Sequence, residues 1–175
     1  MILRDRPRML SEEKFLSIYG GIYEHSPWIA QAAYTRQPAL DLDTVEGLHQ
    51  AMKEAVENAD HAHKLALICA HPELACAPAV AETLSKESSL EQKGAGLKEC
   101  TPEEFSEFQR LNAAYKDKFG FPFIIAVKGL NRTDILQNFR ARVSNDLDTE
   151  FSTALTQIHK IAFLRLTALA EGPIL

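Results

Sequence analysis

Three cysteines in 175 residues are too few, and odd in number, for a disulfide-built scaffold, and they read as reduced thiols. Basic charge is also short. Nineteen Lys and Arg face 24 Asp and Glu, for a net charge of −5, which argues against nucleic acid as a partner because phosphate binding needs a basic surface. No apolar run is long enough to span a membrane. The opening MILRDRPRML carries charges but no apolar stretch behind them, so it does not read as a signal peptide, and EGPIL at the end is neither a peroxisomal tripeptide nor a prenylation box. A cytoplasmic protein that does not engage membranes is expected. Metal-ligand spacing is missing too: there is no CxxC or HExxH, His61 and His63 point to different helix faces, and His71 is too far along for a compact set. No metal is expected. No repeat, low-complexity tract or linker interrupts the chain, so residues 1–175 read as one domain, with ordinary composition and length enough to bury a sizeable core.

What remains is mostly helical pattern. Ser11 opens SEEKFLSIYG, closed by Gly20 and Gly21. Ser26 and Pro27 start SPWIAQAAY, with proline at the first helical position. Asp43 or Thr44 starts the amphipathic TVEGLHQAMKEAVENA, and HAHKLALICA is apolar enough for a core helix that Pro72 must end. Thr101, Pro102 and Glu104 form a capping signature ahead of a run to about Lys118. Thr133 is read as the start of DILQNFRARV, and the longest run extends from about Leu147 to Ala170. Strand signals are confined to GFPFIIAVKG, where Pro122 and the flanking glycines predict one extended segment with no strand partner. The expectation is an all-α, single-domain helical bundle crossed by an extended segment near 120–129.

Three polar features sit in apolar surroundings. Stepping 100° per residue along the last helix puts Phe151, Leu155, Ile158, Ala162, Leu166 and Leu169 on one face. Arg165 lands on that face. Its guanidinium cannot be neutralised, so burial demands an anion, either a protein carboxylate or a ligand; snorkelling at the edge of the stripe is the alternative. His71 precedes a proline and so stands at a helix end, where the helix dipole favours the imidazolium and apolar burial disfavours it. That balance suits an acid or base near neutral pH, and equally suits a helix-ending histidine bonded to a carbonyl. In SSLEQKGAGL, Ser88 and Glu91 have capping-box spacing on a short helix closed by Gly94 and Gly96. Capping explains both residues, while the amides at such a helix start would also suit an anion.

Six blocks in order carry a resemblance: GGIYEHSPWIA near the start, HPELA at 71–75, SSLEQKGAGL at 88–97, FGFPFIIAVKG at 119–129, FRARVSN at 139–145 and IHKIAFLRL at 158–166. Together they resemble the OHCU decarboxylase family, which acts on 2-oxo-4-hydroxy-4-carboxy-5-ureidoimidazoline in urate breakdown. The fifth residue of the HPELA block is often glycine in the family and is Ala75 here, and the peroxisomal signal of animal members is absent. The resemblance implies an all-α fold, no cofactor, and usually a homodimer. It implies a small ureidoimidazoline substrate that loses carbon dioxide to give (S)-allantoin. His71 matches the catalytic proton donor, and Glu91 a polar residue acting with it. Pro72, Ser88, Ser89, Leu90, Glu91, Gln92, Phe123, Ile124, Ile125, Ala126 and Val127 match substrate-lining segments, and Arg165 a polar residue of the pocket. Competing expectations are a hydrolase of a related ureide, with His71 activating water, and a helical interaction module without chemistry.

Overall fold

In the computed structural model, residues 1–36, 41–74, 96–97 and 100–170 are described. Their regular structure is α-helical, as expected, with 3-10 geometry at Pro7–Met9 and at Leu97. The helices are α1 (Glu12–Tyr19), α2 (Pro27–Tyr34), α3 (Val45–Glu57), α4 (His61–Cys69), α5 (Pro102–Phe119), α6 (Arg132–Arg142) and α7 (Leu147–Ala168). The chain forms two compact units. One holds Met1–Ala70 with the chain from Ile158 onward; the other runs from His71 to Gln157.

In the first unit the helix starts follow side-chain chemistry. The Ser11 hydroxyl accepts from the Lys14 amide, Thr44 from Gly47 and Asp60 from His63, each satisfying an amide that has no partner within its helix. Pro27 starts α2 without a cap bond from Ser26. Gly47 has a packing reason: an added Cβ would stand 2.0 Å from the Asp41 carbonyl oxygen. Val45, Leu48, Met52 and Val56 form the buried stripe of α3, and Phe15, Tyr19, Ile29, Leu48 and Met52 fill the core. Two isolated β-bridges, Ile2 with Thr44 and Leu3 with Ala170, are the β-pairings among the described residues. Beside the second, Arg4 donates to the carbonyls of Ala168 and Ala170 at 2.8 and 2.9 Å, where a helix end leaves acceptors unfilled.

The second unit is built on aromatic rings. Tyr115 and Phe119 of α5 meet Phe121, Phe123 and Phe139, and Phe123 stacks on Phe139 with centroids 3.9 Å apart. Thr101 and Glu104 make the expected capping box, and α5 ends on Gly120 at φ 75°, a left-handed turn that favours glycine. Residues 122–127 then carry no regular secondary structure and, among the described residues, pair with no strand. The start of α6 differs from expectation. Its cap is Asn131, whose side chain accepts from both Thr133 and Asp134, so Thr133 lies inside the helix.

Two further expectations need correction. On α7 the buried positions are Glu150, Ala154, Ile158, Ile161, Ala162, Arg165 and Leu166, while Phe151 and Leu155, and Leu169 just beyond the helix, are half-buried. The stripe was drawn by hydrophobicity, but small alanines fit where neighbours approach closely. Cys69 is exposed and outside any disulfide, yet Cys100 is disulfide-bonded, so the three cysteines are not all reduced. Sequence spacing carries no information on which thiols approach in space.

Candidate active site

His71 stands two residues beyond the end of α4, after the Ala70 cap, and is 7% exposed. The expectation of a buried imidazole behind a helix end is met. The chain that follows is held along α5: the Leu74 carbonyl accepts from Asn112 Nδ2 at 2.9 Å, and Glu73 pairs with Lys116 at 3.2 Å. Leu74 is buried, and Pro72 and Glu73 are partly so. These bonds hold the two residues that follow Pro72 against α5.

Phe123, Ile124, Ile125, Ala126 and Val127 are all buried. Side chains replace the missing strand partner. The Arg142 Nη1 donates to the Ile124 carbonyl at 2.7 Å, and the Ala126 amide donates to Gln157 Oε1 at 3.0 Å. These two backbone groups are thus engaged by the protein itself. Arg142 is in turn held by the fully buried Glu150, which also accepts from Tyr115 Oη and, at 2.7 Å, from Asn145 Nδ2. The same guanidinium lies 4.4 Å over the Phe123 ring. Burial, followed by the bond to Glu150, raises the Tyr115 hydroxyl well above its ordinary pKa. Neither Arg142 nor Glu150 was singled out from sequence, although the FRARV block contained the arginine.

Arg165 is buried, its side chain 7% exposed, and its anion is a protein carboxylate: Glu24 Oε2 lies 2.9 Å from Nη1. The same nitrogen reaches the Ile22 carbonyl at 3.4 Å. One turn and a half earlier on α7, His159 Nδ1 meets Tyr23 Oη at 2.8 Å, and the His159 carbonyl accepts from His49 Nε2 at 2.9 Å. Burial pushes His159 down to about 4, helped by the neighbouring His49, and also lowers His49. Burial raises Tyr23, so the phenol keeps its proton beside the His159 ring. Adjacent residues of the loop after α1, Tyr23 and Glu24, therefore grip two residues of the last helix. Sequence reasoning found the arginine's need for an anion but not Glu24, Tyr23 or His159, although the GGIYEHSPWIA and IHKIAFLRL blocks contained them.

Ser88, Ser89, Leu90, Glu91 and Gln92 lie outside the described residues. A separate cleft of about 690 Å³ in the first unit is lined by Trp28, Arg36, Ala51, Ala55, Asp60 and His63 among others, and includes no expected site residue. Its charged groups are already paired, Arg36 with Glu54 and His63 with Asp60. Among the described residues, no three His, Cys, Asp or Glu side chains gather as metal ligands. No helix there is long and apolar enough to cross a membrane.

The helical arrangement is shared with solved structures. It is similar to that of (S)-allantoin synthase, with a TM-score of 0.77 and 33% identity, over 97% of this chain and 54% of that one. It also resembles an OHCU decarboxylase crystallised in the presence of (S)-allantoin, with a TM-score of 0.67 over 91% and 98% of the two chains; at 22% identity that likeness bears on the fold alone. The fold is therefore the helical one of these ureide-pathway structures.

Sequence comparison narrows the class. The family model for OHCU decarboxylase matches residues 8–167. The 2-oxo-4-hydroxy-4-carboxy-5-ureidoimidazoline decarboxylase of Haloferax volcanii is 40% identical over 157 residues, 90% of this chain and 89% of that protein. The uric acid degradation bifunctional protein PucL of Bacillus subtilis is 38% identical over 166 residues, which make up 95% of this chain but 32% of that longer protein. The chain belongs to the OHCU decarboxylase family.

Proposed function

We propose that this protein decarboxylates 2-oxo-4-hydroxy-4-carboxy-5-ureidoimidazoline to (S)-allantoin in urate degradation, with His71 as the general acid/base. The observation that carries this reading is the 40% identity to a decarboxylase of that substrate, extending over nine-tenths of both chains. The whole chain acts as one catalytic domain, in the cytoplasm and as a homodimer.

The chemistry needs little from the protein beyond geometry. The bond from ring carbon C4 to the carboxylate breaks, carbon dioxide leaves, and the electron pair forms a C4–C5 double bond as the neighbouring C5=N pair moves onto nitrogen, conjugated with the 2-oxo group, giving an enolate-like anion. The substrate is its own electron sink, so no pyridoxal or thiamin is required. One proton must then reach one face of the resulting anion. His71 is suited to deliver it, being buried and on a backbone tied to Asn112 and Lys116 through its neighbours. Glu91 is assigned to set the histidine's protonation or to bind the ureido nitrogens. Arg165 is assigned to the substrate's negative charge. Pro72, Ser88, Ser89, Leu90, Gln92 and the Phe123–Val127 segment are assigned to lining the ring's pocket. The burial of that apolar segment favours a dry surround, in which charge interactions are stronger.

The test uses freshly generated substrate, with carbon dioxide and the handedness of allantoin both recorded, because spontaneous decay gives a racemate. The wild-type chain should accelerate loss of carbon dioxide and give one enantiomer. His71→Asn should keep its helical signal and slow stereospecific product formation by at least about a hundredfold, the usual size of a lost acid–base group. A folded variant with near-normal turnover would overturn the role of His71. Acceleration without carbon dioxide would point to hydrolysis, and no acceleration to a non-catalytic module.

A further inference from the structure

We propose that Glu24 is a positioning residue for Arg165: the loop after α1 sets the place of the guanidinium and offsets its charge without itself touching the substrate. This rests on the anion-binding role assigned to Arg165 above.

An arginine side chain carries roughly 2 kcal/mol of rotamer entropy and always one positive charge. Neither property specifies where its planar fork will sit. In this protein the fork's Nη1 has two acceptors from one three-residue stretch, the Glu24 carboxylate at 2.9 Å and the Ile22 carbonyl at 3.4 Å. Glu24 is 2% exposed, so the attraction is little screened by water.

The stretch is itself fixed. The Ile22 amide donates to the Tyr19 carbonyl at 3.2 Å and the Ser26 amide to the Tyr23 carbonyl at 3.1 Å. Between the two acceptor residues, Tyr23 is pinned to His159, six positions before Arg165 on the same helix. The loop thus takes its register from α7 at one point and imposes it on the arginine at another. His25, next to Glu24, has φ 49°, a conformation that costs a non-glycine residue about 1–3 kcal/mol and persists only where its surroundings over-determine it. A displacement of about 1 Å in a positioned group can cost a hundredfold in rate. Glu24 is therefore expected to matter to catalysis through the arginine.

The experiment is a double-mutant cycle on kcat/KM with freshly prepared substrate, using Glu24→Ala, Arg165→Ala and the double variant, with Glu24→Gln run in parallel. Glu24→Gln keeps the size and an acceptor, so it serves if Glu24→Ala folds poorly. Glu24→Ala should lower kcat/KM by about a hundredfold in the wild-type background. In the Arg165→Ala background the same change should alter it by less than about threefold, because residues acting as a unit are not additive. Arg165→Ala at near-normal turnover would sink the anion-binding role itself. Arg165→Ala impaired, with Glu24→Ala costing the same factor in both backgrounds, would sink only the proposal for Glu24, since a general structural defect is indifferent to the arginine.

Discussion

Glu150 is wholly buried yet bears a charge, which elementary solvation makes costly unless partners surround it. Arg142, Tyr115 and Asn145 all donate to it, so the group is satisfied. Removing one member strands the other. Glu150→Ala should lose roughly 3–5 kcal/mol of stability, as breaking a buried pair usually does. Urea unfolding would show it as a lower midpoint with an unchanged slope. The double change Glu150→Ala with Arg142→Met should recover part of that loss, because no unpaired charge is left. This scale was only half legible from sequence. Periodicity put Arg165 on an apolar face and so demanded an anion. Nothing local could say that the anion is Glu24, since the pairing is created by tertiary packing between opposite ends of the chain. Arg142 escaped notice for a similar reason: charged residues stand at both ends of α6, and no stripe isolates the one that is buried.

Among the elements, caps decided most boundaries. Ser11, Thr44 and Thr101 each begin a helix where side-chain chemistry placed it. Asn131 and Thr133 are both good cap residues, and sequence alone favoured the wrong one. The bonds from Thr133 and Asp134 amides to Asn131 make the distinction. Asn131→Ala should cost about 1 kcal/mol, and Thr133→Ala only a few tenths. Thermal melts of the two variants would rank them; equal losses would contradict the assigned start. The non-helical run at 122–127 was legible because Phe, Ile and Val crowd there beside proline and glycine. Its fastening was not, because the partners of Ile124 and Ala126 are an arginine and a glutamine on helices distant in sequence.

For the molecule as a whole, six blocks in order sufficed to recognise the family, although no single block did, and the match over residues 8–167 bears this out. Acid response is a property of the same scale. His159, at about 4, and His49 both bind protons less readily folded than unfolded, chiefly through burial. The unfolded chain therefore takes up protons first, near the ordinary histidine value of about 6.5. Stability is fully present above that pH and declines as pH falls toward 4. The loss is on the order of 2 kcal/mol once the partial exposure of His159 is allowed for. Unfolding midpoints between pH 7 and 4.5 would follow it, and His159→Gln should flatten the slope; an unchanged slope would exclude His159 as the source. A different consequence attaches to the Phe123–Val127 segment. Its composition is that of self-adhesive, fibre-forming peptides, and side chains from α6 and α7 alone keep two of its backbone groups occupied. Until those two helices close over it, the same run is a surface by which nascent copies would clump.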